Sequence, residues 1–278
     1  MKKEDEKPPK YICDLSGKFL FMRHGQTWFN KLKGDESRRY NPELCDAHLS
    51  DKGINQIKKK QEIVNKLNIE KIYVSPYYRA LQTVTLLLEN HPKRENIKIN
   101  VHPFISEIIF GNQDFLFDIK KTKKDFNMNS KIKIDWSYFD EYVKNSKYDE
   151  NFFYYDNMNL IKENEKNKYY LKWKEKYEKG DMEGFKKDIK NFLLEKKKNI
   201  GKFESLKHGF QRFENFKQFL KNEHKDTINE KNKKVLCICH AAFINTATSP
   251  QPFLTDEIDE IPDNLYQIQN GEIISFLI

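Results

Sequence analysis

Four cysteines in 278 residues are too few for a disulfide scaffold. Apolar runs stop after a few residues, far short of the roughly 20 that span a bilayer, so no membrane-spanning segment is expected. No apolar leader follows Met1. Residues 1–10, MKKEDEKPPK, are charged and Pro-bearing and read as part of a flexible N-terminal arm over residues 1–14. Without a leader, a span or a disulfide framework, a reducing cytoplasmic compartment is expected. Hydrophobic residues are also scarce, at 38%, but an aromatic share of 14% supplies apolar surface for a sizeable core and excludes wholesale disorder. Internal repeats are absent.

Basic side chains outnumber acidic ones 50 to 42, and the net charge of +8 is compatible with nucleic acid, a membrane surface or phosphorylated metabolites as partners. Much of the lysine lies in mixed Lys/Asn/Glu stretches that read as solvated surface, so charge does not choose among them.

The first apolar strand, Lys18 to Met22, ends at the polar cluster Arg23-His24-Gly25-Gln26-Thr27. Ser50 then reads as the N-cap of an amphipathic helix carrying Ile54, Ile57, Ile63, Val64 and Leu67. A second strand, Lys71 to Val74, stops at Ser75-Pro76, a cap-plus-Pro start for a helix carrying Ala80, Leu81, Val84, Leu87 and Leu88. Ile97 to Val101 is the third strand. From about 115 to 201 the rhythm gives way to a Lys-, Asn-, Tyr- and Phe-rich, mostly helical insertion, including a Lys-rich helix over Lys186 to Lys198. A helix from Glu204 to about His224 follows, with Phe210, Phe213, Phe216, Phe219 and Leu220 as its apolar stripe. The strand Lys233 to Cys239 leads into His240. Last comes a pair of strands, Leu265 to Gln269 and Glu272 to Leu277, around the turn signal Asn270-Gly271. Strands alternating with helices predict α/β architecture: an open, mainly parallel sheet with helices on both faces. Residues 15–278 read as a single domain that includes the insertion.

Three strand ends deliver polar groups where open α/β sheets bind ligands: Arg23-His24-Gly25, Ser75 with Arg79 a turn on, and His240. Arginine forks match phosphate oxygens in bidentate fashion, and imidazole can donate a proton or attack. Alone, Arg79 would read as a solvated helix residue; the Ser75-Pro76 frame makes it a ligand candidate. Cys237 and Cys239 beside His240 suggest a zinc site, but strand alternation puts both thiols on one face and the histidine on the other. Buried strand cysteines are the expectation, and no metal is.

The segment FMRHGQTWFN, Phe21 to Asn30, resembles the signature of the histidine phosphatase (phosphoglycerate mutase-like) superfamily. VSPYYRALQT, Val74 to Thr83, is similar to its second motif, and Phe104-Ile105-Ser106-Glu107 with Gly111 to its acid/base segment. Cys239-His240 occupies the place of its second histidine, and Leu49-Ser50 with Gly53 and Gln56 resembles the helix that usually follows its first motif. The resemblance runs over roughly 18–115 and 202–278. It implies a phosphoglycerate mutase-like fold and a phosphohydrolase acting on a small phosphorylated metabolite. His24 would be the nucleophile that becomes a phosphohistidine, and Glu107 the acid/base. Arg23, Asn30, Arg79 and His240 would hold the phosphoryl oxygens, with Gln26, Thr27 and Ala241 as candidate substrate contacts. No cofactor is implied; a bisphosphoglycerate primer would be needed only by a mutase.

Departures from the family pattern bear on the substrate. Ala241-Ala242 follow the second histidine in place of Gly, and Gln26 stands where mutases often carry an acid. Ile108 and Phe110 replace the Arg and Tyr with which the family's mutases hold glycerate. Phosphoglycerate mutase therefore stands as the alternative reaction, and a catalytically silent phosphate-binding protein as a third reading. In the insertion, aromatic clusters such as Asn151 to Tyr155 among lysines could stack single-stranded nucleic acid. A helical cap with aromatics inward is the reading adopted, with no nucleic acid as partner. Lys120, Lys121, Lys123 and Lys124 are candidates for a second anionic group of the substrate.

Overall fold

Short apolar runs bounded by polar residues form strands that are buried on both sides. The computed structural model of the chain describes residues 11–12, 14–116, 118–129, 132–200, 202–249, 267–276 and 278. Its strands are β1 (Tyr11–Ile12), β2 (Phe19–Arg23), β3 (Ile69–Val74), β4 (Lys98–Val101), β5 (Ile134–Asp135), β6 (Lys234–Cys239) and β7 (Ile273–Phe276). They form one open sheet in the order β1-β7-β2-β6-β3-β4-β5. Pairing is parallel from β2 through β5 and antiparallel where β7 meets β2 and β1. The helices are α1 (Trp28–Lys31), α2 (Asp51–Asn65), α3 (Tyr78–Leu88), α4 (Ile119–Asn129), α5 (Ser137–Asn145), α6 (Glu163–Glu178), α7 (Met182–Ile200), α8 (Leu206–Glu223) and α9 (Ala241–Thr248).

The period of two along a strand sorts side chains into two cores. Leu20, Met22, Ile72, Val74, Leu236 and Ile238 pack on one face with Ile57 and Val64 of α2 and Ala80, Leu81, Val84 and Leu87 of α3. Phe19, Phe21, Tyr73, Val235, Cys237 and Cys239 pack on the other with Phe213, Phe216 and Leu220 of α8 and Phe243 and Ile244 of α9. The two strand cysteines are thus buried among phenylalanines, on the face the alternation gave them. The sheet is covered on both faces, the α/β arrangement expected from the sequence.

Ser50 caps α2, its hydroxyl accepting the Gly53 N–H at 3.2 Å. A Cβ on Gly53 would lie 2.0 Å from the Gln26 carbonyl oxygen, so glycine lets α2 press against the loop after β2. At α3 the expected start is displaced: the helix begins at Tyr78, and its N-cap, Tyr77, makes no side-chain cap bond. Ser75 turns instead to His240, and Asp46, distant in sequence, accepts the Tyr78 N–H at 2.9 and 3.1 Å. A buried carboxylate supplied by another loop has replaced the local cap.

Two terminal expectations also change. The arm expected over 1–14 does not run through Tyr11–Ile12, which pair with β7; residues 1–10 and 13 lie outside the described residues. Around Asn270-Gly271 a turn forms, with Gly271 at φ +74° and the Glu272 N–H on the Gln269 carbonyl at 3.0 Å. Residues 267–269 are not a strand, and Leu265 of the expected partner lies outside the described residues. β7 pairs with β2 instead, which places the turn beside the end of β2.

The insertion shares the core of the first face. Phe115, Phe139, Phe152, Phe153, Tyr154, Tyr155, Trp173 and Phe185 are almost completely buried and join the α2/α3 cluster. Its aromatics therefore pack inward, and β5 adds a strand to the sheet edge within an otherwise helical segment. No helix among the described residues is long and apolar enough to cross a membrane.

Candidate active site

β2, β6 and β3 are neighbours, so their carboxyl ends meet at one rim of the sheet. The crossing is pinned by backbone bonds: His24 N–H to Cys239 O and Ser75 N–H to Ile238 O, each 3.0 Å. There a cleft of ≈ 80 Å³ is lined by Arg23, His24, Thr27, Phe29, Asn30, Ala47, Arg79, Glu107, Phe110, Gln113 and Asp114. A cavity needs roughly 10–15 Å³ to hold one water, so this space has room for a phosphoryl-sized group.

His24 Nδ1 lies 2.7 Å from the carbonyl oxygen of Gly25. A carbonyl can only accept, so Nδ1 carries the proton. Burial, reinforced by the Arg79 and Arg23 charges, holds the pKa of His24 well below its usual value. The neutral ring then has its lone pair on Nε2, the form required for nucleophilic attack.

Arg79 is tethered along its length. Nε donates to His240 Nδ1 at 3.3 Å, Nη1 to Asp46 at 3.3 Å and the Gln113 carbonyl at 2.8 Å, and Nη2 to Asp114 at 3.1 Å. These bonds use four of the five guanidinium hydrogens and leave one, on Nη2, for a ligand. Arg23 is freer: Nη1 donates to the Ile268 carbonyl at 2.8 Å, while Nε is buried without a partner. A buried, unpaired cationic donor lining a cleft is a place for an anion to sit. Burial raises the carboxyls that hold Arg79, Asp46 to about 6 and Asp114 to about 7, against the lowering pull of the arginine.

Glu107 follows β4 and a short 3-10 turn, Pro103–Ile105. Its carboxylate accepts the N–H groups of Ile108 at 2.9 Å and Phe243 at 3.1 Å, so it rests on the N-terminal turn of α9. Burial pushes its pKa up, opposed by Arg79 and by the two N–H bonds. A carboxyl raised in this way keeps its proton closer to neutrality, which suits an acid that must later act as a base. Thr27 and Asn30 form a reciprocal cap of α1, each side chain on the other's backbone N–H at 3.2 Å. Asn270 also donates to Asn30 Oδ1 at 3.4 Å and to the His24 carbonyl at 3.1 Å.

The sequence-derived candidates Arg23, His24, Thr27, Asn30, Arg79 and Glu107 all line the cleft. His240 sits behind it, fully buried, with Nε2 2.7 Å from Ser75 Oγ and Nδ1 facing Arg79. Gln26 lies outside the lining: its side chain accepts the Ser50 hydroxyl at 2.9 Å. Ala241 also lies outside it, and the N–H of the next residue, Ala242, donates to Glu107 at 3.5 Å. No described residue of the insertion lines the cleft. Lys120, Lys121 and Lys123 face the insertion's own carboxylates, Glu150, Asp125 and Asp140, and Lys124 is not in the lining. Sequence reasoning missed Asp46 and Asp114. Asp46 carries one local signal, a positive φ of 40° that a short Asx side chain tolerates, but that is visible only in the folded chain. Among the described residues, no cluster of three or more His, Cys, Asp or Glu is arranged to hold a metal ion.

A buried neutral histidine, two arginines and a raised carboxyl thus share one cleft at the carboxyl ends of adjacent parallel strands, an arrangement able to receive an anion. Residues 19–135 match the family model of the histidine phosphatase superfamily (branch 1), and this segment belongs to that superfamily. The segment holding His240 lies beyond the matched residues. Solved structures similar to the chain include a mycobacterial glucosyl-3-phosphoglycerate phosphatase complexed with VO3, at 15% identity and TM-score 0.48 over 92% of this chain and 88% of that one. Another is the ecdysone phosphate phosphatase of Bombix mori with tungstate, at 14% identity and TM-score 0.46 over 92% and 86%. The phosphoserine phosphatase of Entamoeba histolytica with 3-phosphoglyceric acid is a third, at 17% identity and TM-score 0.41 over 92% and 87%. No curated protein matches the chain.

Proposed function

We propose that the protein is a phosphohydrolase that removes the phosphoryl group of a small phosphorylated metabolite through a phosphohistidine at His24. The observation that carries this is the His24 Nδ1–Gly25 carbonyl bond of 2.7 Å, which fixes the Nε2 lone pair in a cleft lined by Arg23, Arg79, Asn30 and Glu107. In the first step Nε2 forms a bond to phosphorus as the ester P–O bond breaks, and the leaving oxygen takes the Glu107 proton. In the second, the Glu107 carboxylate takes a proton from water as its oxygen bonds to phosphorus and the N–P electron pair returns to Nε2. Arg23 Nε, the remaining Arg79 hydrogen and Asn30 hold the equatorial oxygens, where charge stabilisation does most of the catalytic work. His240 acts through Arg79, whose Nε it accepts.

Phosphoglycerate mutase would use the same steps with a second substrate hydroxyl in place of water. Ile108 is wholly buried against Leu206 and Ala242, and Phe110, an aromatic residue, lines the cleft. Neither can bind a glycerate carboxylate, so hydrolysis is favoured.

A phosphorus NMR time course tests the reading. It uses 3-phosphoglycerate, a bisphosphoglycerate primer and p-nitrophenyl phosphate with wild type and His24→Ala. Inorganic phosphate that depends on His24, without 2-phosphoglycerate, is the expected outcome. Growth of 2-phosphoglycerate makes the protein a mutase, and phosphate binding without turnover makes it a silent binder.

A further inference from the structure

The loop that carries Glu107 is held by a buried ion pair from outside the matched motifs. Glu204 is wholly buried and Arg212 nearly so. Arg212 donates Nε to Glu204 Oε1 at 2.7 Å and Nη2 to Oε2 at 3.0 Å. Its other three hydrogens go to the carbonyls of Phe104 at 2.8 Å, Ser106 at 3.0 Å and Glu107 itself at 3.2 Å. All five guanidinium hydrogens are thereby used. Glu204 Oε2 also accepts the Ile109 N–H at 3.1 Å, so the pair grips the chain on both sides of the acid. Gly209 of α8 closes the grip: a Cβ there would lie 2.6 Å from Ile108 Cδ1, so glycine lets α8 lie against the loop. The Arg212 guanidinium also lies 5.6 Å over the ring of Phe243, whose N–H binds the Glu107 carboxylate.

We propose that Arg212, oriented by Glu204, is a positioning residue for proton transfer: it fixes the backbone of Glu107 so that the carboxyl meets the leaving oxygen. The anchor acts on the backbone, while the Glu107 carboxyl itself rests on N–H groups of the loop and of α9. Misplacing a reacting group by about 1 Å costs on the order of a hundredfold in rate. The inference rests on the reading of Glu107 as the proton donor.

The test compares kcat/KM, which reports the first phosphoryl transfer, for two esters of different leaving group. Phenyl phosphate needs a proton on its leaving oxygen; 2,4-dinitrophenyl phosphate does not. The full-length wild type, Glu107→Gln, Arg212→Met and Arg212→Lys are measured, with Glu204→Gln as the second route should Arg212→Met fail to fold. Glu107→Gln and Arg212→Met are each expected to slow phenyl phosphate on the order of a hundredfold and to leave the dinitrophenyl ester nearly unchanged. Arg212→Lys, which keeps charge but not the fork, falls between them and the wild type. Equal losses on both esters in the Arg212 and Glu204 variants, or none, overturn the positioning role while Glu107→Gln still shows the split. Absence of the split in Glu107→Gln overturns the underlying reading and this inference with it.

Discussion

Asp114 Oδ1 accepts an Arg79 Nη2 hydrogen at 3.1 Å, with both side chains almost wholly buried on the wall of the cleft. Burial lifts the acid to about 7 despite the arginine. An acid raised on folding contributes stability that is full below its unfolded value near 3.8 and is lost as pH rises through about 7. Asparagine stays neutral at every pH. Asp114→Asn should therefore gain stability relative to wild type as pH rises from about 4 to about 7. Thermal midpoints of the two proteins across that range check this; a constant difference contradicts it.

Glu107 yields a prediction of the same sign for rate. Its raised pKa keeps the proton that the proposed first step consumes, so kcat/KM with an aryl phosphate of poor leaving group should fall as pH rises through that value. Glu107→Gln has no proton to give. It should lose about 10²–10⁴-fold in rate and flatten the alkaline limb, as a pH–rate profile of both proteins would record. An unaltered limb in the variant assigns it to another group.

Gly53→Ala tests how α2 frames the loop that follows β2. The new methyl would sit 2.0 Å from the Gln26 carbonyl oxygen, backbone that cannot swing away. Moving it costs about 1–3 kcal/mol and shifts the segment that carries His24 and Asn30. Denaturant unfolding should show the loss, and KM for the phosphate ester should rise with it. Unchanged stability would mean that the loop yields freely.

Much of this arrangement was legible because it is local. Alternation along Phe19 to Arg23 and Lys234 to Cys239, and the Ser50 cap, reflect contacts within a few residues, and each strand end announced its own polar group. What was not legible is long-range. Ser75-Pro76 has the composition of a helix start, yet Ser75 bonds to His240, 165 positions away, and Asp46 supplies the cap from 32 positions away. His240 was expected among the phosphate ligands, but the pairing of β6 between β2 and β3 sets it behind Arg79. The lysines of the insertion were visible as charge, but only folding shows that Lys123 faces Asp140 and Glu150. Arg212 gave no local sign of its role, since three of its five hydrogens go to carbonyls of residues more than 100 positions upstream.

The central claim is a covalent bond between phosphorus and His24, and trapping it is the most direct test. Wild type, Glu107→Gln and His24→Ala are mixed with p-nitrophenyl phosphate, quenched in alkali within the first turnover and digested, and the peptides are read by mass spectrometry. The account predicts one alkali-stable, acid-labile phosphoryl group on the peptide containing His24 in wild type, persisting longer in Glu107→Gln, where no carboxylate activates water, and absent from His24→Ala. Turnover by wild type with no phosphoryl group on that peptide, or turnover undiminished in His24→Ala, would contradict it.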